Sequence, residues 1–372
     1  MTHSAVSGII FANTNDTTLK KLTKGRSMAS VPFGARYRFV DFALSSLVNA
    51  GATNVGIITK ENYSSLMNHV GNGSHWELDR RYGGLHLLPP YFSSKAKRYT
   101  GTVDALYGIK DYIKNIKNDY IVLYNSDFIA NVDISAAVAQ HILKNADVTM
   151  VYCDGSRSND CRENMNITLD SENRVKNIKI DNDTKKGTPV SMGITIIKRQ
   201  LLLKFVDEAY ESDIVNFNRD FICAKLGQLK VYGFEHKGYI CFMNSIENYF
   251  KSSMDLLNSD IRRELFNTKR PILTKTRDDM PSRYGTKAKT SNCIIADGCV
   301  IDGTVKDSIL FRGVKVAKGA VVENCILMQG TSVGAGSELF GVISDKNVVI
   351  GENMVLKGSL EKQLFIKKNQ IV

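Results

Sequence analysis

Seven cysteines and three closely spaced histidines are the residues of this sequence that could hold a soft metal, and their spacing argues against it. The cysteines, at 153, 161, 223, 241, 293, 299 and 325, are odd in number and include no CxxC pair. Neither a disulfide framework nor a zinc ribbon is suggested, and they read as buried thiols. His69, His75 and His86 lie six and eleven residues apart in uneven surroundings, which does not make a ligand set. Phosphate chemistry fits better. Lys and Arg number 49 against 38 Asp and Glu, a formal charge of +11, spread without a basic block and without aromatic interleaving. That pattern favours diffuse solubilising charge or an anionic small ligand and sets nucleic acid aside. The run Lys95-Ala96-Lys97-Arg98 reads as a solvated loop, close enough to Gly101 to touch a phosphate. Asp127, after the apolar run Tyr120 to Tyr124, reads as a loop carboxylate capping nearby N–H groups, and Thr102 as a helix cap.

The elements that must position these residues fall into two patterns. A chain of 372 residues, 43% hydrophobic and 23% charged, suits two soluble domains. No apolar run approaches the roughly 18 residues that span a bilayer, so no membrane partner is expected. The start, Met1-Thr2-His3-Ser4, lacks the basic flank of a signal peptide, and a cytoplasmic address is expected. Over residues 1–255, apolar runs at Val6 to Ala12, Val55 to Thr59, Tyr120 to Tyr124 and Val148 to Cys153 read as strands. Ala43 to Ala50, Glu61 to Val70, Thr102 to Ile116 and Ile134 to Asn145 have helical spacing, so an α/β domain with a mostly parallel sheet is predicted. Ligands in such sheets collect beyond the carboxyl ends of the strands, which makes the loops after Ala12 and Tyr124 the ones to watch.

Residues 256–290 read as a connecting segment, helical at first and then carrying Pro271 and Pro281. Over 291–372 a period of 17 residues appears. Val316, Val333 and Ile350 form one column, Val322, Leu339 and Leu356 a second, Ile309, Ile326 and Ile343 a third. Turn residues recur in step, Gly313, Gly330, Asn347 and Gly319, Gly336, Asn353, all types that tolerate the left-handed backbone. Three six-residue sides per coil, less one residue, describe a parallel β-helix with each column stacked up the prism interior. Its flat faces suit assembly.

Particular segments carry a family resemblance. Residues Val31-Pro32-Phe33-Gly34-Ala35-Arg36-Tyr37-Arg38-Phe39-Val40-Asp41-Phe42-Ala43-Leu44-Ser45-Ser46 resemble the VPFGGKYRxIDFxLSN segment of glucose-1-phosphate adenylyltransferases, the enzymes that make ADP-glucose for glycogen and starch. Gly101-Thr102-Val103-Asp104-Ala105 resembles the family's GTADA, Ser191-Met192-Gly193-Ile194 its SMGIY, and Ile343-Ser344-Asp345-Lys346-Asn347 its IIDKN. The resemblance covers nearly the whole chain. It implies a Rossmann-like nucleotidyltransferase domain followed by a left-handed parallel β-helix, with Gly101, Thr102 and Asp104 as nucleotide-binding positions.

The departures matter as much. Nucleotidyl transfer needs donors for a triphosphate, a bridging cation and a carboxylate pair to fix it. The family's GGxGTRL is here Asn13-Thr14-Asn15-Asp16-Thr17-Thr18-Leu19: the glycines are gone, Thr18 replaces the arginine, and Asp16 adds negative charge. RAKPAV becomes Arg26-Ser27-Met28-Ala29-Ser30-Val31, with Met28 for the phosphate-facing lysine. FVEKP aligns with Ile178 to Asn182, placing Asp181 where a lysine should meet the sugar phosphate. SGD aligns with Asn125-Ser126-Asp127, making Asp127 a residual metal carboxylate in this reading, while the second aspartate position is Phe242. One lost charge-stabilising donor already costs on the order of 10² to 10³ in rate. Arg36 stands at the FGGK lysine of an activator-phosphate site, with Arg38 as a nearby auxiliary; a solvent-facing arginine is the alternative.

Among relatives, the non-catalytic partner subunit of bacterial ADP-glucose pyrophosphorylase fits this combination of matching scaffold and altered site. The resemblance then implies a regulatory chain of glycogen biosynthesis, with little or no activity alone. Its partner would be the catalytic subunit, with Mg²⁺ in that subunit's site, in a hetero-oligomer, a tetramer by family resemblance, answering to a sugar-phosphate activator. Two other readings stay open: a working sugar-phosphate nucleotidyltransferase with altered site chemistry, and a free-standing sensor of sugar phosphates.

Overall fold

A computed structural model describes residues 6–14, 16–90, 101–155, 164–181 and 187–372, with the side chains of Asn164 and Asp181 left aside. The first domain is built on nine strands: β1 (Val6–Phe11), β2 (Asn54–Ile58), β3 (Gly84–Leu88), β4 (Tyr120–Asn125), β5 (Val148–Asp154), β6 (Asn164–Leu169), β7 (Val175–Asp181), β8 (Pro189–Lys198) and β9 (Val231–Glu235). They run in the order β7-β6-β8-β4-β1-β2-β3, with β5 also on β8 and β9 on β5. β1 is parallel to β2 and β4, β2 to β3, and β5 to β9. β8 is antiparallel to β4 and β5, and β6 to β7 and β8. The sheet is therefore mixed: β7 and β8 run against the other strands, which share one direction. Five residues separate β6 from β7, too few for the dozen or so that a parallel crossover requires, so these two form an antiparallel hairpin.

Helices cover both faces. Successive side chains of β1 alternate, so Ile10 packs with Val40, Leu44 and Leu47 of α1 (Phe39–Asn49), while Ile9 packs on the other face with Val103, Leu106 and Ile113. α2 spans Ser64–Val70 and α5 Ile134–Leu143. The single helix expected over Thr102 to Ile116 is two, α3 (Thr102–Gly108) and α4 (Lys110–Asn115), broken at Ile109. α6 (Arg199–Glu211), α7 (Ile246–Asp255) and α8 (Ser259–Leu265) complete the set used below. No helix of the described residues is long and apolar enough to cross a membrane.

The second domain consists of three sheets, each of five parallel strands contributed by successive coils, a left-handed parallel β-helix of the hexapeptide type. Its first strand is Arg283–Tyr284, in a coil that begins eight residues ahead of the start at 291 that the patterning indicated. That coil carries Arg283, Lys287, Lys289 and Thr290 and is largely exposed, so it shows no apolar column. The expected register holds: Val316 pairs with Val333 and Val333 with Ile350, Val322 with Leu339 and Leu339 with Leu356. Gly313, Gly330 and Asn347 turn the corner with φ of 70°, 72° and 57°. A third left-handed corner, Asn292, Asp307, Asn324 and Gly341, was not legible because its residue types vary.

One column does not do what the repeat implied. Ile309, Ile326 and Ile343 stack in register but face out of the prism. They are fully buried against Leu19, Leu22 and Phe39 and against Tyr249 and Phe250 of α7. Their neighbours Leu310 and Leu327 fill the interior instead, because adjacent residues of a strand point to opposite faces. The connecting segment is also bound to the first domain: Leu273 donates its N–H to Ser45 Oγ at 2.8 Å, and Asn49 Nδ2 donates to the Pro271 carbonyl at 3.1 Å.

The outward column makes a stability contrast measurable. Ile326→Ala is expected to lower the stability of the folded chain by about 2–5 kcal/mol. Val321→Ala, on a solvent face at 38% exposure, should change it by less than about 0.5 kcal/mol. Urea denaturation of both variants checks this.

Candidate functional site

A cleft of about 330 Å³ opens beyond the carboxyl ends of β1 and β4, lined by Phe11, Thr14, Thr18, Thr102, Asn125 and Gly193 among others. β1 and β4 end together there, with Phe11 opposite Asn125. Gly193 has φ of 78°, and a Cβ on it would come within 2.4 Å of Asn125 Nδ2, so the glycine of this segment is a packing requirement. At the start of α3, Gly101 and not Thr102 is the N-cap. A Cβ there would lie 2.2 Å from the Val215 carbonyl oxygen. The Thr102 hydroxyl instead accepts the Phe217 N–H at 2.8 Å. Asp104 sits in the first turn of α3 and does not line the cleft.

The loop after β1 is closed on itself. Asp16 Oδ1 accepts the Met28 N–H at 2.8 Å and Asp16 Oδ2 accepts Asn13 Nδ2 at 2.6 Å. The Asp16 carbonyl accepts the Thr23 hydroxyl at 2.6 Å, and Asn13 Oδ1 accepts the Lys60 N–H at 2.8 Å. Burial pushes the Asp16 carboxyl up, and the donors from Asn13 and Met28 work against that. The loop thus presents a carboxylate of its own to donors that a bound phosphate would otherwise need. Thr18 donates to the Met243 carbonyl at 3.2 Å. Met28 is fully buried with Leu19, Leu22 and Phe33, a core side chain rather than a group aimed into the cleft.

Aromatic packing surrounds Phe242, the position at which the resemblance implied a second carboxylate. Phe242 is 1% exposed, its ring 6.1 Å from Phe128, which stacks on Tyr124 at 5.3 Å. Asp127 is 2% exposed and does not line the cleft. Its carbonyl accepts the Met243 N–H at 2.9 Å, and Ser126 Oγ donates to the Phe11 carbonyl at 2.7 Å, which holds this turn inward. These residues do not fit a Mg²⁺ ion bridging a triphosphate. Among the described residues no group of three His, Cys, Asp or Glu side chains is placed to hold a metal. Arg219, the cation of the cleft lining, is engaged by Asp220 at 2.7 and 3.2 Å. Asn15, the Lys95 to Arg98 run, Cys161 and the Asp181 side chain lie outside the described residues.

A second cavity, about 270 Å³, lies between the domains and gathers Arg36, Arg38, Lys275, Arg277, Arg312 and Lys346. Arg36 and Arg38 come from a hairpin, Pro32–Phe33 with Tyr37–Arg38, turned by Gly34 and Ala35 at φ of 56° and 69°. Arg36 reaches Asp297 at 3.4 Å, a half-exposed pair. Arg38 Nη1 donates to the Ser65 carbonyl at 2.6 Å, and burial lowers its pKa to about 10. Lys275 Nζ donates to the Asn68 carbonyl at 2.7 Å. Lys346 is lowered to about 7, first by burial and then by the charges of Arg38 and Arg26. Cations crowded at the expense of one another's charge are a receptor for an anion with several oxygens.

Of the residues singled out from sequence, Thr18 and Thr102 meet in the cleft and Arg36 and Arg38 in the cationic cavity. Lys275, Arg277, Arg312 and Lys346 were missed as site residues; the net charge and the Ile343 to Asn347 segment were their signals. His69 is no metal ligand here: its Nε2 lies 2.6 Å from Asp41 Oδ1, at the edge of the cationic cavity. Of the thiols, Cys153, Cys241, Cys299 and Cys325 are buried and Cys223 and Cys293 half-buried.

Comparison with known proteins agrees with both domains. The nucleotidyl transferase family model matches residues 7–237, and a GlmU-like C-terminal hexapeptide model matches 279–363. The glycogen biosynthesis protein GlgD of Bacillus subtilis (strain 168) is 32% identical over 372 residues, 100% of this chain and 98% of the relative. Glucose-1-phosphate adenylyltransferases of Bacillus thuringiensis (strain Al Hakam) and Bacillus mycoides (strain KBAB4) are each 30% identical over 353 residues, 94% of both chains. With the two domain models matched in order and relatives aligned over almost their full length, the chain belongs to the glucose-1-phosphate adenylyltransferase family of nucleotidyl transferases.

Proposed function

We propose that this chain is a regulatory subunit of glycogen biosynthesis, catalytically impaired by itself, that modulates a catalytic glucose-1-phosphate adenylyltransferase in a hetero-oligomer. The observation that carries the reading is Phe242: a ring packed into an aromatic cluster stands where the reaction needs a metal carboxylate. The self-closed Asp16 loop and buried Met28 point the same way. Glycogen biosynthesis is the role of the Bacillus subtilis relative aligned over all 372 residues. The cationic cavity supplies the regulatory half, a site for a sugar phosphate held by Arg36 and Arg38 together with the cations opposite them. Coupling of about 1–3 kcal/mol between such a site and a neighbouring subunit's active site suffices for a 5- to 150-fold effect.

The chain alone, supplied with ATP, glucose 1-phosphate and Mg²⁺, is expected to turn over at least 100-fold more slowly than a catalytic relative. Turnover within about tenfold would restore the reading as a working enzyme with altered chemistry. Co-expressed with a catalytic relative, it should elute as one hetero-oligomer by size exclusion with light scattering, with altered turnover or metabolite response. Two separate peaks and unchanged kinetics would leave the free-standing sensor instead.

In that complex, Arg36→Ala is expected to raise the concentration of fructose 1,6-bisphosphate needed for half-activation roughly tenfold or more, the worth of one charged hydrogen bond to phosphate. An unchanged activation curve removes Arg36 from the site.

Proton linkage gives an independent check on the cavity. Lys346 faces Arg38, Arg26, Asp345 and Lys368, and with its pKa near 7 it is charged below that pH and neutral above it. Sulfate, a dianion throughout, should therefore bind less tightly as pH rises from 6.5 to 8.5. Burial lowers the His69 pKa against the pull of Asp41. Calorimetric titration of the wild type and of Lys346→Met, in which the trend should flatten, tests the sign.

A further inference from the structure

The cleft beyond β1 and β4 is lined by side chains whose accepting atoms the protein uses and whose donors it leaves over. Thr102 Oγ1 accepts the Phe217 N–H at 2.8 Å, and Ser191 Oγ accepts the Gly193 N–H at 3.3 Å. Asn216 Oδ1 accepts the Arg219 N–H at 2.9 Å, and Asn218 Oδ1 accepts the Thr195 hydroxyl at 3.1 Å. Among the described residues no acceptor meets the side-chain hydrogens of these four, and the Asn125 amide has no hydrogen-bond partner at either end. Two irregularities of the backbone bring the group together. Asn216 to Arg219 open a π-helical turn, Phe217–Ile222, a wide form that recurs at functional sites. On β8, the pairing with β5 slips between Ser191 and Ile194, a bulge from which both Ser191 and Gly193 line the cleft.

Charge and apolar surface narrow the ligand. Arg219, the cation of the lining, is bound by Asp220 through two hydrogen bonds, so a phosphate group would leave water for neutral donors alone. Phe11 and Phe217 are 8% and 1% exposed and packed in the core, which leaves no open ring face on which a nucleobase could stack. At the lip, Met165 and Ile180 stand opposite each other on β6 and β7, the first half-buried and the second 42% exposed. Neutral donors beside an aliphatic strip match a ring that carries hydroxyls on its edge and C–H bonds on its face.

We propose that this cleft binds an unphosphorylated pyranose sugar, with Asn125, Asn216 and Asn218 donating to its hydroxyl oxygens and Met165 and Ile180 against its C–H face. A sugar hydroxyl accepts and donates at once, so it satisfies the spare N–H groups and donates in return to Asn125 Oδ1. A volume of about 330 Å³ admits one such ring. The site depends neither on the cationic cavity nor on a partner subunit. It gives the chain a second ligand class, free sugar, beside the sugar phosphate of the proposed regulatory site.

NMR of the full chain labelled at its methionine and isoleucine methyl groups tests this, with methyl α-D-glucopyranoside as the probe. The Met165 and Ile180 signals are expected to shift saturably, and glucose 1-phosphate should need a roughly 5-fold or higher concentration for the same shift. Asn125→Leu keeps the side-chain volume and removes both hydrogen-bonding ends, and should weaken binding about 2- to 10-fold. Asn125 also lies against Gly193, so a second variant is placed where folding is not at stake: Ile180→Ser, at the exposed lip and followed at Met165, should weaken binding roughly 2- to 5-fold. No saturable shift with the glucoside, or shifts confined to methyl groups away from the cleft, overturns the proposal. Wild-type affinity in either variant overturns it as well. So does glucose 1-phosphate binding as tightly as the glucoside or more so, which would make the cleft a phosphate site. Turnover and assembly are measured separately, so the regulatory reading stands or falls without this result.

Discussion

Burial of Ile309, Ile326 and Ile343 against the first domain fixes where the β-helix stands, and both sites inherit their geometry from it. Each isoleucine removed from water is worth about 1.5–3 kcal/mol, and the three are stacked in register so that they act along one line. Phe311 and Met328 extend the contact on the same side. That line sets the distance between the hairpin bearing Arg36 and Arg38 and the coils bearing Arg312 and Lys346, which is what makes a cavity of them. It also brings Asp345 within hydrogen-bonding distance of Arg26. A buried ion pair is weak evidence for stability by itself; here apolar burial does the joining and the pair sets the register.

Under the proposed function, the cleft is not one substitution away from a catalytic one. Returning an aspartate at position 242 would place a carboxylate against the rings of Phe128 and Tyr124, where it costs several kcal/mol unless it is paired. A lysine at position 28 would have to leave a fully enclosed pocket formed with Leu22 and Phe33. Asp16 is engaged through both carboxylate oxygens and its carbonyl, so removing it would free a loop rather than build a phosphate cradle. Phe242 and Met28 are parts of the core, so under the proposed function the cleft reads as remodelled rather than damaged.

Much of this was legible in the residues, for identifiable reasons. The β-helix columns were readable because every coil repeats the same steric demand, and so were the turns that require left-handed backbone. The outward direction of the Ile309 column was not, since both faces of that strand carry aliphatic residues and only the neighbouring domain decides which is inside. The parallel half of the sheet followed from alternating strands and helices, but the polar stretch through β6 and β7 gave no apolar run to mark it. Arg36 and Arg38 could be singled out from one segment. Lys275, Arg277, Arg312 and Lys346 come from three other parts of the chain, and no local pattern announces a site assembled from four. Thr102 looked like a cap because glycine lacks a side chain to compete for the role; the close approach of Val215 to Gly101 settles it.

The outward column also changes how the β-helix can come apart. In a free solenoid each coil touches only its neighbours, and loss of structure spreads inward from an open end one coil at a time. Here one of the three sides is fastened along its length to another domain while the other two face solvent. Coils at different heights then share an anchor and must be released together, so unravelling runs around the prism from the open sides toward the fastened one rather than along its axis. The repeat is one-dimensional in sequence, but the cooperative unit is two-dimensional, and the strands containing Ile309, Ile326 and Ile343 should be the last part of the β-helix to lose order.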